Sequence, residues 1–181
     1  MRIIKRIFIG LAVLMAILLV TALFLPKEYT IERSIVINRP ADSVYAYIRY
    51  LKNQNDYSKW AGMDPAMRKE FRGTDAQPGF VSAWKSEKRD VGEGEQTIRS
   101  INDGKRRVDY DLHFIEPMET RCNAYMQVDP NGNGSQVLWG FHGKTPYPFN
   151  IMSLFFNMDK MVGDDLSLGL HNLKERLEAK R

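Results

Sequence analysis

The sequence predicts an α+β domain, an antiparallel sheet packed against one long C-terminal helix, preceded by a single transmembrane helix. Three observations predict it. An apolar run without a charge opens the chain, short segments of alternating polarity separated by Asn, Asp, Gly and Pro turns fill its middle, and apolar residues three or four apart mark its end. Residues 1–26 form the expected anchor and residues 27–181 the expected folded domain.

The apolar run covers residues 7–25, nineteen positions, about the length a helix needs to cross ~30 Å of hydrocarbon. Arg2, Lys5 and Arg6 precede it and no acidic residue occurs before Glu28. The positive-inside rule then keeps the N-terminus cytoplasmic and sends the domain to the periplasm or cell exterior. A cleaved signal sequence is the alternative, but its apolar stretch is usually shorter, and Val20 and Ala22 fit the small-x-small cleavage pattern poorly. Pro26 ends the helix and leaves almost no linker, so the domain is expected to sit against the bilayer.

With 181 residues, 44% hydrophobic and 27% charged, the chain has the composition of an ordinary folded domain. The net charge of +4 falls to +1 once the three basic residues before the apolar run are set aside. That is too little for a phosphate-neutralising surface, so no nucleic-acid partner is expected. Cys122 is the single cysteine, which rules out an intrachain disulfide and a Cys-based metal site. The fold must therefore stand on its core, and about 155 residues suffice to build one.

Residues 28–37 alternate, with Ile31, Arg33, Ile35 and Ile37 on one side and Glu32, Ser34 and Val36 on the other, and read as a strand. Pro40 at a first helical position, followed by Ala41, Val44, Tyr45 and Ile48, gives a short helix, and a second short helix or loop runs to Trp60. Strands follow at residues 67–72, 80–86, 95–101, 106–115, 120–128 and 135–143. Asn102-Asp103-Gly104 reads as a hairpin turn in which glycine supplies the positive φ. In the clearest strand Val108, Tyr110, Leu112 and Phe114 oppose Arg107, Asp109, Asp111 and His113, so one sheet face is buried and the other solvated. A helix is expected over residues 150–179, its stripe running through Ile151, Leu154, Phe155, Met158, Val162, Leu166, Leu170, Leu173 and Leu177, with Asp159, Asp164 and Asp165 on its wet face.

That order of elements, with the strings IERSIVINRPADSVYAYI, VDYDLHFIEP and KTPYPFNIMSLFFNMDKMVGDDLSLGLHNLKERLE, resembles the START-like, birch-pollen-allergen-type superfamily and, within it, the bacterial polyketide cyclase/dehydrase-like (SRPBCC) proteins. The resemblance covers residues 28–181 and implies a helix-grip fold: a curved antiparallel sheet of about six to seven strands wrapped around the C-terminal helix, with an apolar cavity between them. It implies a hydrophobic small molecule or lipid as partner, no cofactor, and in some members chemistry in the cavity. The aromatic and Met side chains expected to face inward suit such a guest: Trp60, Phe71, Trp84, Tyr110, Phe114, Met126, Trp139, Phe141, Phe155, Met158 and Met161 are the candidate ligand-binding residues.

No catalytic signature accompanies them. His113, His142 and His171 are scattered, without the short spacing of a metal ligand set. Asp109, Asp111 and His113 read as solvated surface, Cys122 as a small buried hydrophobe, and Asn133-Gly134-Ser135, formally a glycosylation acceptor, as a turn. The acidic Gly92-Glu93-Gly94-Glu95 would repel a phosphate. Binding in the cavity is the leading reading. A cyclase or dehydratase is the rival, for which Tyr110 is the inward candidate. A protein-binding module would need a large exposed apolar patch.

Overall fold

The uncharged run folds as one helix, α1 (Arg2–Phe24), in a computed structural model that describes residues 2–179. Met1, Lys180 and Arg181, at the outer ends of the two expected segments, lie outside the described residues. The stretch Ile3–Phe24 is long and apolar enough to cross a membrane, and nearly all of it is exposed.

Seven strands follow: β1 (Glu28–Ile37), β2 (Arg68–Arg72), β3 (Val81–Lys85), β4 (Glu93–Asn102), β5 (Arg107–Glu116), β6 (Thr120–Asn131) and β7 (Gly134–Lys144). They make one antiparallel sheet in the order β1-β7-β6-β5-β4-β3-β2. The first strand thus pairs with the last, from Glu28 opposite Lys144 to Ile37 opposite Ser135. Register shifts in β4 between Glu93 and Gly94 and between Ile98 and Ser100 let the sheet bend, as an extra residue in one strand does. The curved sheet and the long helix that it grips form a helix-grip fold.

Alternation decides which face is concave. Ile31 and Ile37 of β1, Val137 and Trp139 of β7, Ala124, Met126 and Val128 of β6, Val108 and Tyr110 of β5 and Ile98 of β4 are buried on one side. The other side carries Glu32, Arg107, Asp109, Asp111 and Tyr125 toward water, where Arg107 pairs with Asp109 at 2.8 Å and lies 3.6 Å over the Tyr125 ring. Helix α2 (Ala41–Ile48) buries Val44, Tyr45 and Ile48 on this core. A 3-10 turn (Leu51–Asp56) and helix α3 (Lys59–Met63) follow, the turn held because Asp75 accepts from the Leu51 and Lys52 amides at 2.8 and 3.1 Å.

Two expectations change. The C-terminal helix, α4 (Met158–Ala179), begins eight residues later than position 150; a separate 3-10 turn (Phe149–Leu154) precedes it. Asn157 sets the start, its side chain accepting from the Lys160 amide at 2.9 Å as an N-cap. In the β4–β5 connection Asn102 accepts from the Lys105 amide at 3.0 Å and closes a 3-10 turn (Asp103–Lys105), so Arg106, not Gly104, takes the left-handed conformation at φ 46°.

α4 lies over β1 and β7 and is gripped along its length. Arg33, an arginine among isoleucines on the concave side of β1, reaches the first turn of α4 and donates to the Asp159 carboxylate at 2.9 Å and carbonyl at 3.0 Å. Lys59 of α3 pairs with Asp165. At the other end Arg39 donates to the Leu177 carbonyl at 3.0 Å and Lys174 to the Val36 carbonyl at 2.8 Å. Asp159 and Asp165 therefore act as ties as well as polar surface. Gly163 leaves the space the Arg33 guanidinium occupies, and Gly169 sits on the Trp139 indole, where an added Cβ would lie 2.8 Å from a ring carbon.

Two outcomes follow from this grip. Replacing a helical glycine by alanine ordinarily stabilises by about 1 kcal/mol, yet Gly169→Ala should lose about 1–3 kcal/mol through overpacking on Trp139, measured by urea titration; a variant as stable as the parent removes the contact from the argument. The Arg33 hydrogen bond, then its charge, holds the Asp159 carboxyl below its usual 3.8. A depressed carboxylate pKa contributes stability above the unfolded value and loses it as pH falls through the folded one. The drop in Tm on acidification from pH 7 to below that range should thus be smaller in Asp159→Asn than in the parent, and an equal drop would show that the pair contributes nothing.

Candidate functional site

Because α4 covers β1 and β7, and α2 covers β6 and β7, the concave face is sealed unevenly. At the end of the concave face nearest the β5–β6 turn the side chains are neither enclosed nor free: Trp84 of β3, Leu112 and Phe114 of β5, Phe141 of β7 and Tyr29 of β1 are all half-buried. Trp60 of α3 and Met158 and Val162 of α4 stand at the same partial exposure, packed on the margin of the core. These half-buried side chains are the candidate lining of an apolar trough.

Its geometry is set by aromatic contacts and two glycines. Trp84 lies edge-on to Phe114, centroids 5.8 Å apart at 73°, and donates its indole N–H to the Val91 carbonyl at 3.3 Å. Gly94, directly opposite Trp84 in the ladder, makes room for that ring: a Cβ there would lie 2.6 Å from it. Tyr29 stacks with Phe141 at 6.3 Å and occupies the space above Gly143. Trp60 meets Trp139 edge to face at 6.1 Å and 83°, joining the trough to the core. Gln96, between Gly94 and Ile98 on the same alternation, is the buried polar side chain of the floor.

Away from the Arg33–Asp159 pair, the two phenols and the thiol of the concave face are held neutral. Burial raises the Tyr29 phenol above its usual value and pushes the Cys122 thiol up to about 12. Tyr110 is raised much further, first by burial and then by the charge of Asp75. Side chains held neutral in this way suit an uncharged apolar surface.

The candidates read from the sequence divide into three sets. Trp60, Trp84, Phe114, Phe141 and Met158 lie on the trough. Tyr110, Met126 and Trp139 are sealed in the core. Phe71, Phe155 and Met161 are exposed, Phe155 because the helix expected to carry it inward starts only at Met158, and Met161 because it lies on the face of α4 turned away from the buried Gly163, Leu166 and Leu170. Leu112, Tyr29 and Gln96 were not among the candidates, although alternation along β5, β1 and β4 places them inward.

The opposite face holds a groove of about 370 Å³ lined by Glu95, Thr97, Asp111, His113, Arg121, Asn123, His142 and Lys144, with Leu112 and Cys122 beneath. Several of its polar groups are already paired: His113 lies 3.1 Å from Glu119, Asn123 donates to Asp111 at 2.7 Å, and Lys144 pairs with Glu28 at 2.6 Å. Its lining mixes charged groups with apolar atoms, whereas the trough is lined by aromatic and aliphatic side chains, so the trough suits an apolar guest better. Among the described residues no group of three or more His, Cys, Asp or Glu side chains is placed to hold a metal ion.

Known proteins agree with this architecture. The crystal structure of Ara h 8.0201 superposes with a TM-score of 0.58 at 14% identity, covering 84% of this chain and 99% of that one. A protein structure from Nitrosospira multiformis gives 0.59 at 16% identity, covering 84% and 100%. A solution structure from Thermobifida fusca gives 0.54 at 22% identity, covering 81% and 91%. At these identities the likeness is one of fold. No curated protein matches the chain. The family profile described as polyketide cyclase / dehydrase and lipid transport matches residues 28–178, nearly the whole of the gripped sheet and helix, and the chain belongs to that family.

Proposed function

We propose that this chain is a membrane-held receptor for a hydrophobic small molecule or lipid, which lies in the trough against Trp60, Trp84, Leu112, Phe114, Phe141 and Met158. The observation that carries this reading is the half-buried apolar floor that α4 leaves uncovered. Covering such a floor with a guest is favourable by roughly 25 cal/mol per Å² of apolar surface removed from water. Gln96 offers the floor's polar handle, able to hydrogen-bond a hydroxyl or carbonyl and so orient the guest. Family membership, which implies a hydrophobic-ligand fold, supports the same class of guest. The enzymatic rival needs an inward proton donor or acceptor, and Tyr110 is buried in the core with its phenol held protonated.

In this reading α1 is a retained anchor, with Lys5 and Arg6 on the cytoplasmic side and the domain on the other. The sheet end carrying Glu28, Lys144 and Thr120 then faces the bilayer, because β1 starts four residues after α1 ends. The trough opens at that same end, so a lipid guest has a short path to and from the membrane.

Two measurements test these statements. The full chain in mild detergent should co-purify with lipid or displace a fluorescent fatty acid, and Phe114→Asp should weaken displacement at least about tenfold, roughly 1.4 kcal/mol, while Asp111→Asn in the polar groove leaves it unchanged. Equal affinities in parent and Phe114→Asp, with the variant folded by circular dichroism, would sink the trough as the site. Intact mass of the chain extracted from native membranes should include α1; a product lacking it means the segment is a cleaved leader.

A further inference from the structure

Residues 145–158 carry no charged side chain, and the 3-10 turn Phe149–Leu154 within them packs on the C-terminal end of α1. The contact is specific. Asn150, 1% exposed, donates its side-chain N–H groups to the carbonyls of Ala22 and Leu25 at 2.7 and 3.0 Å, and Ala22 is fully buried beneath it. These are carbonyls of the last helical turn and the residue after it, which have no partner within the helix and must find one where water is scarce. Ser153 donates to the Asn150 carbonyl at 2.8 Å and braces the turn.

Around this buried pin the apolar side chains point away from the protein. Phe149 and Phe155 are 66% and 70% exposed, and Met152, Leu154, Phe156 and Met161 are exposed with them. Single exposed hydrophobic residues are ordinary, whereas a contiguous set marks an interaction surface. The position of the set identifies its occupant. Ile3–Phe24 has 22 residues, about 33 Å of helix, against ~30 Å of hydrocarbon. Ala22 lies ~3 Å from the outer end of that helix, so a turn that caps Ala22 sits at the level where acyl chains give way to headgroups. Aromatic residues are favoured at that level.

We infer that residues 149–156, pinned to the last turn of α1 through Asn150, insert into the boundary of the bilayer that α1 spans and give the domain a second membrane contact beside its anchor. This rests on the reading of α1 as a retained span. The contact restrains the rotation that a single helix would allow and holds the open end of the trough to the membrane surface.

The test uses the full chain in phosphatidylcholine–phosphatidylglycerol vesicles, with nitroxide labels at Phe149→Cys or Phe155→Cys, at Leu14→Cys in mid-span, and at Lys105→Cys in the turn at the opposite end of the sheet. Cys122 is buried with its thiol pushed up to about 12, and labelling of the parent chain checks that it stays unreacted. Collision with oxygen relative to a water-soluble nickel chelate reports lipid or water around each label. The expected result is a several-fold higher oxygen preference at positions 14, 149 and 155 than at 105. A lipid signal at 14 with a water signal at both 149 and 155 overturns the second contact and leaves the span standing. A water signal at 14 overturns the span and the contact with it. Shielding of 149 and 155 from both reagents, with spin–spin broadening lost on dilution with unlabelled chain, means that a second copy covers the ridge, and also overturns the proposal.

Discussion

The close approach of α4 to the sheet depends on one contact, the Trp139 indole under Gly169. Trp139 is the largest side chain in the β7 row of the concave face, and Tyr57 and Trp60 meet it edge-on at 5.8 and 6.1 Å. Held from two sides, the ring cannot yield, so the helix above it must lack a side chain at the crossing. Glycine costs about 1 kcal/mol of helix propensity and in return permits van der Waals contact between the helix backbone and the sheet. Leu166, Leu170 and Leu173, which flank the crossing, are thereby fully buried.

The same contact explains why the concave face is closed on one side and open on the other. A helix bound close to β7 and β1 cannot also cover β3, β4 and β5, because adjacent strands are about 4.8 Å apart and a helix with its side chains is about 10 Å across. α2, over β6 and β7, reaches only the β4–β5 connection, where Tyr45 donates to Asp103 at 2.7 Å, and the distant strands are left bare at the other end. Arg33 reinforces the asymmetry. Its bond to Asp159 ties the first turn of α4 to β1. The opening is thus a consequence of where the helix is gripped, and no loop has to move to create it.

Much of this was legible in the sequence. Strict alternation identified β1 and β5 with their inward residues, because a half-buried strand has only two faces to fill. Turn residues separated the remaining strands within one or two positions, except that β6 runs to Asn131, three residues into the stretch expected to be its turn. Arg33 was placed on the inward face but given no role, since alternation says where a side chain points and not what it meets. Gly163 and Gly169 carried no periodic signal of their own; their purpose depends on Arg33 and Trp139, more than twenty positions away in either case. Of the eleven candidate site residues the trough holds Trp60, Trp84, Phe114, Phe141 and Met158, whereas Tyr110, Met126 and Trp139 are core. Aromatic inward positions look alike in sequence whether a helix covers them or not.

The reach of the last helix was the larger misreading, and its cause is physical. Ile151, Leu154, Phe155 and Met158 continue the spacing of the α4 stripe without interruption, so periodicity predicts one helix with one buried face. Periodicity records that a surface avoids water; it does not record which apolar medium replaces the water. Two local features decide between them. Asn157 caps a new helix at Met158, and Asn150 turns its side chain back to the end of α1, so the stripe is cut between a part that faces the sheet and a part that faces away from the domain beside a lipid-length helix. Two asparagines in an otherwise apolar run are weak signals alone, but each satisfies backbone groups at a helix end, and that shared task is what converts one continuous stripe into two surfaces, one packed on the sheet and one turned outward.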